Sequence, residues 1–394
     1  MMENIKVWFK KNKMPLLLFL SIAAVWFVWI GSQPELRFMR GDSVLTGDPG
    51  TDFMVDSVRN RFELPFWNPY IFGGMPHLAS MNANVTLHPL FLAYHLAGLN
   101  MKQISQLDFC IALFLAGFFM YLFLSELGLS RMAALLGGIF FMHCGDIVTL
   151  TNGGHNYNID CTALLPAIFY FFEKGFKTKK LLYFVLSGCV LGLQSFLGVY
   201  QLLMYTVICM AFYLLYKLVA EKASMKFILY FALAVLVAPL ISAVQLLQSY
   251  SFIGNTFRAG VTYEFFTSWS FHPTEVIIYI YPRFFGLIPP TYWGHSPFWQ
   301  STTAFGIVPV LLVLTALYFR FREKAVLFFA LLSGFILLMS FGGFTPLYKL
   351  LYNIPVINGF RNPSRWLGFF AFSMITLSAY GLDLLAGLVA GKQQ

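Results

Sequence analysis

The sequence predicts an all-α protein that crosses a membrane many times, and three observations lead to this prediction. Of the 394 residues, 58% are hydrophobic and only 11% are charged, whereas a soluble domain has about 25% charged residues. The mean hydropathy is +0.70. Apolar runs, each near the roughly 20 residues that cross a bilayer as a helix, recur along the whole chain. We therefore expect a polytopic membrane protein of about ten transmembrane helices with large, partly helical outer loops, and the composition excludes an ordinary soluble domain.

The first apolar run, 14–31, follows a short basic stretch and superficially resembles a signal peptide. No small-x-small cleavage pattern comes after it, so we interpret it as an uncleaved first span. Nine further spans are predicted, which places both termini on the same side of the membrane. They are 107–124, 132–150, 160–172, 181–197, 201–217, 227–247, 302–319, 325–341 and 364–386.

The distribution of Lys and Arg orients these spans. Sixteen of the 26 basic residues lie in one set of short loops, which the positive-inside rule places in the cytoplasm together with both termini. The net charge of +9 is explained by this topology, and we expect no nucleic-acid partner. The sixteen are Lys6, Lys10, Lys11, Lys13, Arg131, Lys174, Lys177, Lys179, Lys180, Lys217, Lys222, Lys226, Arg320, Arg322, Lys324 and Lys392.

The chain 1–394 is interpreted as a single transmembrane domain with three outer segments: 32–106, 248–301 and 342–363. The first two are too long for passive connections, and long loops of this kind are usually functional. Residues 52–62 predict a short amphipathic helix, with Val55 and Val58 on its apolar face. The five cysteines show no paired spacing, so they predict neither disulfides nor a zinc site.

Ionisable residues are concentrated on the predicted outer side. Carboxylates near a bilayer are costly unless they are paired, hydrated or used, so this set points to a function. Of the aspartates, Asp383 lies outside the pattern. The outer residues are Asp42, Asp48, Asp52, Asp56, Asp108, Asp146 and Asp160, and His77, His88, His95, His143, His155, His272 and His295.

The first candidate cluster contains Asp48 and Asp52, on a Gly/Pro-rich turn that leads into the predicted helix. Two aspartates four residues apart can converge on one cation or on one hydroxyl proton. Asp52 can equally be a helix N-cap.

The second cluster contains His143, Asp146, His155 and Asp160, around the third and fourth spans. His143 and Asp146 are three residues apart and are predicted to share a helix face. Gly153, Gly154, His155 and Asn156 are predicted to form a tight outer turn. Three interpretations stay open: a metal site, substrate hydrogen bonding, and a structural role.

The third cluster is Phe360 to Arg365, at the outer start of the last span. Asn362 is a good N-cap and Pro363 a good first helical residue. Exposed backbone N–H groups there, flanked by Arg361 and Arg365, would suit a phosphate. Alternatively, the two arginines anchor the helix to lipid headgroups.

Three stretches together resemble the YfhO family of bacterial membrane proteins, over about residues 40 to 386. They are Phe66-Trp67-Asn68-Pro69-Tyr70 with Phe72-Gly73-Gly74-Met75-Pro76; Gly153-Gly154-His155 with Leu164-Leu165-Pro166; and Phe360-Arg361-Asn362-Pro363-Ser364-Arg365 with Gly381-Leu382-Asp383. That family is similar to the GT-C glycosyltransferases, multi-span enzymes that take a sugar from a polyprenyl-phosphate donor on the outer face. Its members usually continue beyond this last helix, so the chain is either a compact member or a truncated product.

The resemblance implies a GT-C-like fold and an essential aspartate in the first outer segment, acting as base or metal ligand. Asp52 is the first candidate and Asp48 the second. The expected partners are the bilayer, the polyprenyl-phosphate sugar donor and an envelope glycan or glycolipid acceptor. A divalent cation, Mg²⁺ or Mn²⁺, is left open, with Asp48, Asp52 and His155 as candidate ligands. The candidate substrate-binding residues are Trp67, His155, Asn156, Arg283, Arg361 and Arg365.

The resemblance also implies a location in the bacterial inner (cytoplasmic) membrane. The main rival function is a transporter or flippase for a lipid-linked saccharide, which should show polar residues near the midplane and broken helices in matching halves. The mid-span residues are mostly apolar, and we find no internal repeat. A non-catalytic protein of envelope assembly is the third hypothesis.

Overall fold

Segments as apolar as these have to satisfy their backbone N–H and C=O groups internally, and a helix does so within one segment. The computed structural model describes residues 2–33, 48–61, 63–71, 73–79, 87–256, 261–286, 291–295, 304–389 and 391. In these ranges the chain forms α-helices, short 3₁₀ turns and one small hairpin. The predicted all-α architecture is confirmed.

The α-helices run in chain order as follows. The first nine are α1 (Met2–Gly31), α2 (Asp48–Asn60), α3 (Pro89–Leu96), α4 (Met101–Glu126), α5 (Arg131–Met142), α6 (Gly145–Val148), α7 (Leu150–Gly153), α8 (Asn156–Thr178) and α9 (Leu181–Phe196). The others are α10 (Tyr200–Val219), α11 (Lys226–Ile241), α12 (Ala243–Ile253), α13 (Tyr263–Thr267), α14 (Ile307–Arg320), α15 (Lys324–Ser340), α16 (Leu347–Tyr352) and α17 (Leu367–Val389). The 3₁₀ turns are Pro273–Tyr279, Gly342–Phe344, Ile357–Gly359 and Pro363–Trp366, and strands β1 (Trp67–Asn68) and β2 (Met75–Pro76) pair antiparallel.

Five helical segments of the described chain are long and apolar enough to cross a membrane, and α11 with α12 makes a sixth if the bent pair counts as one span. Helices α9, α14 and α15 are apolar but shorter. The chain is therefore a membrane protein by the length and composition of its helices. Within the described residues, each of the ten predicted spans falls on one helix or on consecutive helices, but how many cross the bilayer stays a prediction. The five segments are Lys6–Gly31, Met101–Glu126, Arg131–Val148, Tyr200–Val219 and Pro363–Val389.

Two predicted spans are broken where the sequence predicted continuous helices. The run 132–150 ends as a regular helix at Met142 and resumes in the short helices α6 and α7. The run 227–247 bends by 76° between α11 and α12. Pro239 lies inside α11 just before this bend, and a proline there removes a backbone hydrogen bond and clashes with the preceding turn.

The centre of the bundle is formed by α4, α5, α8 and α17. Phe372 of α17 is buried and meets one aromatic ring from each of the other three helices: Phe123 at 5.3 Å, Phe141 at 6.0 Å and Phe169 at 5.0 Å between ring centroids. Two glycines bring further helices into close contact. A Cβ on Gly188 would lie 2.4 Å from the carbonyl oxygen of Ala234, and one on Gly381 would lie 2.0 Å from that of Leu312. Small residues at such positions are typical of membrane helix interfaces.

Asp383, the aspartate outside the outer pattern, joins three helices at the predicted cytoplasmic end. Its Oδ2 lies 3.0 Å from Nη1 of Arg320, at the end of α14. Its Oδ1 accepts a 2.8 Å hydrogen bond from the backbone N–H of Ser130, which precedes α5. The position of Asp383 is therefore explained by a structural role.

We expect Asp383→Asn to lower the free energy of unfolding by about 1–2 kcal/mol, because the ion pair with Arg320 is mostly shielded from water. The measurement is the midpoint of thermal unfolding of the purified protein in detergent. Asp56→Asn is the matched control, since the Asp56–Arg61 pair is exposed and such pairs contribute about 0–1 kcal/mol. Equal midpoints for the two variants would contradict the structural role.

Candidate functional site

The second and third sequence clusters meet in one polar pocket at the predicted outer end of the bundle. Asp146 comes from α6, His155 from the turn before α8, and Arg365 from the start of the last span. The cavity has a volume of about 20 Å³, which is room for about one water molecule. The residues that line it are Asp146, Leu150, His155, Asn158, Thr162, Leu202, Asn362, Ser364 and Arg365. We call this the polar pocket.

Asp146 reaches the polar pocket because the third predicted span breaks before it. Its backbone is fixed by the N–H of Gly145, which donates to the carbonyl oxygen of Ala304 over 2.8 Å. Asp146 is 7% exposed, and its Oδ2 accepts a 2.9 Å hydrogen bond from Oγ1 of Thr162 on α8. Gly368 of α17 leaves the space that this carboxyl occupies, since a Cβ there would lie 2.5 Å from Oδ2.

The prediction that His143 and Asp146 share a helix face is wrong, because the helix breaks between them. His143 is the residue that ends α5, and its side chain turns to α1, where its Nε2 accepts a 3.2 Å hydrogen bond from the indole N–H of Trp26. His155 and Asn156 are half-buried, and His155 lines the polar pocket. Asp160 faces away from that pocket and interacts with Asp108 of α4, as described below.

The backbone before the last span is held in an unusual conformation. Asn362 has φ +69° and Trp269 has φ +63°, a region that non-glycine residues seldom adopt. Two backbone hydrogen bonds join the segments that contain these strained residues. Asn362 N–H donates to Ser268 O over 3.0 Å, and Ser364 N–H donates to Trp269 O over 3.3 Å. The second outer segment therefore holds the start of the last span in place.

The prediction of exposed backbone N–H groups at this helix end is wrong. The N–H of Ser364 is used by Trp269, and the N–H of Arg365 donates to the carbonyl oxygen of Asn362 over 3.1 Å. The side chain of Asn362 does not cap the following turn; instead it accepts a hydrogen bond from the Ser364 hydroxyl. A phosphate at this end would be bound by side chains.

The two arginines of the third cluster line different pockets. Arg365 is half-buried beside the polar pocket, and its Nη1 donates to Oε1 of Gln201 over 3.0 Å. Arg361 is exposed and lies over the ring of Phe265, 5.3 Å from the ring centroid. It lines a second cavity of about 90 Å³, whose walls are mostly apolar and include Tyr205, Phe335 and Trp366. We call this the apolar pocket.

Helix α2 lies in the first outer segment. Helix α2 packs on α3 and α4 through a buried face formed by Met54 and Ser57. The sequence placed the apolar face on Val55 and Val58, which are only half-buried. Asp52 is exposed on α2, and neither pocket includes it among its lining residues. Asp48 begins α2, but its side chain lies outside the described residues, so their predicted convergence stays a prediction.

The Trp-Asn-Pro and Gly-Gly-Met-Pro stretches fold together as the β1–β2 hairpin. Trp67 is exposed, and its indole lies against Gly74: a Cβ on Gly74 would be 2.6 Å from the ring. Gly74 also has φ +120°, so both the backbone and the ring contact require glycine. The Phe53 ring of α2 packs against His77 in an edge-to-face arrangement, with ring centroids 5.1 Å apart.

Arg283, a predicted substrate-binding residue, is exposed on a turn and lines neither pocket.

Asp108 and Asp160 face each other between α4 and α8 within hydrogen-bonding reach. The hydroxyl of Tyr94 on α3 is 3.5 Å from Oδ1 of Asp108. Two adjacent carboxylates repel unless one of them is protonated. No group of three or more His, Cys, Asp or Glu that could hold a metal ion occurs within the described ranges.

Sequence reasoning missed Gln201, Asn158 and Thr162, which line or support the pockets. Each is a polar residue within or next to an apolar run. A search for buried polar residues near the outer ends of the predicted spans would have found all three.

Three histidines of the first outer segment are buried and neutral. Burial lowers the pKa of His77, His88 and His95 from 6.5 to about 4, and the positive charge of Arg59 adds to the effect at His95. Both ring nitrogens of His95 lack a hydrogen-bond partner among the described residues. A proton added to any of these rings therefore destabilises the folded segment.

We expect the first outer segment to lose stability as the pH falls from about 6.5 towards about 4. In this window an unfolded histidine binds a proton and a buried one does not, so protons favour the unfolded form; above pH 6.5 neither form is protonated. This loss of stability is measured by hydrogen exchange of residues 48–96 at pH 7.5 and pH 5, corrected for the intrinsic exchange rate. Equal protection at both pH values would contradict it. The half of α8 at the predicted cytoplasmic end is the internal control.

We expect Gly368→Ala to displace the Asp146 carboxyl, because the new methyl group would lie 2.5 Å from Oδ2 and 3.1 Å from the Thr162 hydroxyl. Overpacking of this kind costs about 1–3 kcal/mol, which lowers the midpoint of thermal unfolding. The control is Gly334→Ala on α15, where a Cβ has no neighbour within 4 Å and alanine is the better helix former. If both variants unfold at the wild-type temperature, the contact of Gly368 with Asp146 is not as described.

No protein-family model and no curated protein sequence matches this chain. The resemblance to the YfhO family stays a prediction.

Proposed function

We propose that this protein is a membrane glycosyltransferase that moves a sugar from a polyprenyl-phosphate-linked donor to a cell-envelope acceptor. The observation that carries the proposal is the polar pocket, in which a carboxyl group, an imidazole and a guanidinium converge at the predicted outer end. Asp146, His155 and Arg365 supply these groups. The apolar pocket lies on the other side of residues 361–366, with Arg361 in its wall.

These features match the chemistry of a lipid-phosphate donor. An arginine binds a phosphate through charge-assisted hydrogen bonds, and the apolar pocket offers a surface for the first units of an isoprenoid chain. In the transfer, an acceptor hydroxyl oxygen attacks the anomeric carbon of the sugar. The bond from that carbon to the phosphate oxygen breaks, and the lipid phosphate leaves with the electron pair.

A carboxylate takes the proton of the acceptor hydroxyl in this step. The family resemblance favours Asp52, with Asp48 as the second candidate. The pocket geometry favours Asp146, which lines the same cavity as Arg365. Because the polar pocket holds only about 20 Å³ and ligand sites are typically about 300–1,000 Å³, a sugar requires the outer segments to open. A divalent cation, Mg²⁺ or Mn²⁺, at Asp48, Asp52 or His155 is compatible with the same step.

The proposal includes the location of the protein. The site works in the bacterial inner membrane with both termini in the cytoplasm, as the loop charges predict. The expected partners are the bilayer, the polyprenyl-phosphate donor and an envelope glycan or glycolipid acceptor.

The transporter hypothesis gains support from the broken spans. The bend between α11 and α12 and the break after α5 are features that transporters use at their binding sites. Transfer and transport are distinguished by chemistry: a transferase gives a glycosylated acceptor and free lipid phosphate, whereas a flippase moves the intact donor across the bilayer.

We expect Asp52→Asn and Asp146→Asn to identify the base, since loss of a general base costs about 10²- to 10⁴-fold in kcat. The assay follows transfer from labelled polyprenyl-phosphate sugars in proteoliposomes, with thermal unfolding as the check on folding. Asp56→Asn, one turn from Asp52, is the control and should keep wild-type activity. Full activity in both test variants would overturn the mechanism, and donor translocation without any glycosylated product would favour the transporter.

We expect Arg365→Gln to weaken donor binding by about 10- to 100-fold, because it removes a charge-assisted hydrogen bond to the phosphate. The measurement is the KM for the donor in the same assay, with Arg322→Gln at the predicted cytoplasmic end as the control. An unchanged KM in folded Arg365→Gln would remove Arg365 from the donor site.

A further inference from the structure

Gln201 lies in the wall between the two pockets. It is the second residue of α10 and is 3% exposed. Its side chain lines the apolar pocket, while its amide contacts Arg365, which lines the polar pocket. Gln201 therefore connects the two parts of the proposed donor site.

Chemistry fixes the orientation of the Gln201 amide. Its Oε1 accepts from Nη1 of Arg365 over 3.0 Å, and a guanidinium can only donate. Its Nε2 donates to the carbonyl oxygen of Asn362 over 3.2 Å, and a carbonyl can only accept. Turning the amide over would place two donors together and two acceptors together, so a single orientation satisfies both neighbours.

A second layer of contacts holds Gln201 itself. Its Nε2 also donates to the hydroxyl of Tyr205, one turn further along α10, over 2.7 Å. The Tyr205 ring stacks on Trp366 with centroids 3.7 Å apart and an interplanar angle of 13°. Tyr205 is also hydrogen-bonded to Tyr348 of α16. These contacts fix Gln201 before any ligand arrives, which is what an orienting residue requires.

We propose that Gln201 is a positioning residue that aims the Arg365 guanidinium into the polar pocket so that it meets the donor phosphate. The phosphate part of this inference rests on the proposed function. A neutral amide orients Arg365 without adding a negative charge beside it. A carboxylate at the same position would orient Arg365 equally well and would neutralise it.

Two near-isosteric variants separate orientation from charge. Gln201→Met removes the hydrogen bonds and keeps the length of the side chain; Gln201→Glu keeps an acceptor for Arg365 and adds a negative charge. The control is Gln194→Met on α9, since Gln194 is also fully buried and donates to a backbone carbonyl, that of Cys161, over 2.9 Å. All variants are purified as the full chain and checked by thermal unfolding.

The first readout does not depend on activity. Phenylglyoxal modifies arginine side chains, and peptide mass spectrometry follows its reaction with Arg365. Loss of one hydrogen bond of about 1 kcal/mol should make Arg365 react about 5-fold faster in Gln201→Met. In Gln201→Glu the new ion pair should slow the reaction below the wild-type rate, and Gln194→Met should match the wild type.

The second readout is the binding of farnesyl phosphate and the split between KM and kcat for the donor. We expect a KM about 10-fold higher in Gln201→Met and a larger increase in Gln201→Glu, with kcat nearly unchanged. Unchanged Arg365 reactivity in folded Gln201→Met would overturn the positioning role. Altered reactivity with no farnesyl phosphate binding by the wild type would leave that role standing and overturn the proposed function.

Discussion

Helix α8 carries polar side chains on several of its faces, and polar groups of the neighbouring helices lie against them. Thr162 donates to Asp146 on one side, and Asp160 meets Asp108 of α4 on another. Near its other end, Glu173 lies 2.7 Å from the Lys217 ammonium of α10. A buried polar group without a partner costs about 2–7 kcal/mol in an apolar environment. Each of these contacts therefore fixes the rotation and depth of one neighbour, and hydrophobic packing fills the remaining space.

This constraint explains the break in the third span. If α5 continued without interruption, the helical repeat would fix the direction of the Asp146 side chain. The carboxyl group could then not reach the Thr162 hydroxyl and the space beside Gly368. The chain leaves the helix at His143, the backbone of Gly145 bonds to Ala304, and Asp146 returns on a short helix of its own. A few helical hydrogen bonds are lost at the break, and Thr162 supplies the donor that lowers the cost of burying the Asp146 carboxyl group. The break thereby brings Asp146 into the polar pocket.

Much of the fold could be predicted from hydropathy and loop charge. The length of an apolar run can be read from the local sequence, and the thickness of the bilayer sets how long a spanning helix has to be. Within the described residues, every predicted span coincides with one helix or with consecutive helices, and Asp383 was recognised as an exception. The break after Met142 was missed because 132–150 is mostly apolar despite His143 and Asp146, and the contacts at the break come from Ala304 and from Thr162 of α8. The face of α2 was misassigned for a different reason: Ser57 is polar in the sequence, but its hydroxyl donates back to Phe53 O of the same helix over 2.9 Å, so the side chain can be buried.

The candidate site was predictable in its residues and not in its geometry. The sequence selected Asp146, His155 and Arg365 separately, as members of two clusters about 200 residues apart in the chain. Their convergence depends on the long-range contact of α8 with α17. Gln201 was not predicted as a site residue, because the sequence around a single glutamine at the edge of an apolar run is the same whether its side chain faces lipid, water or an arginine.

The short segment 361–366 shows how loops, more than helices, shape this site. Arg361 and Arg365 are four residues apart and would share a face on a regular helix. The left-handed backbone at Asn362 changes the direction of the chain between them, so one guanidinium reaches the apolar pocket and the other the polar pocket. Such a conformation costs about 1–3 kcal/mol and persists only where neighbouring contacts enforce it. The second outer segment supplies those contacts through Ser268 and the equally strained Trp269. Because residues 361–366 form a wall of both pockets, the backbone hydrogen bonds from Ser268 and Trp269 support both walls together.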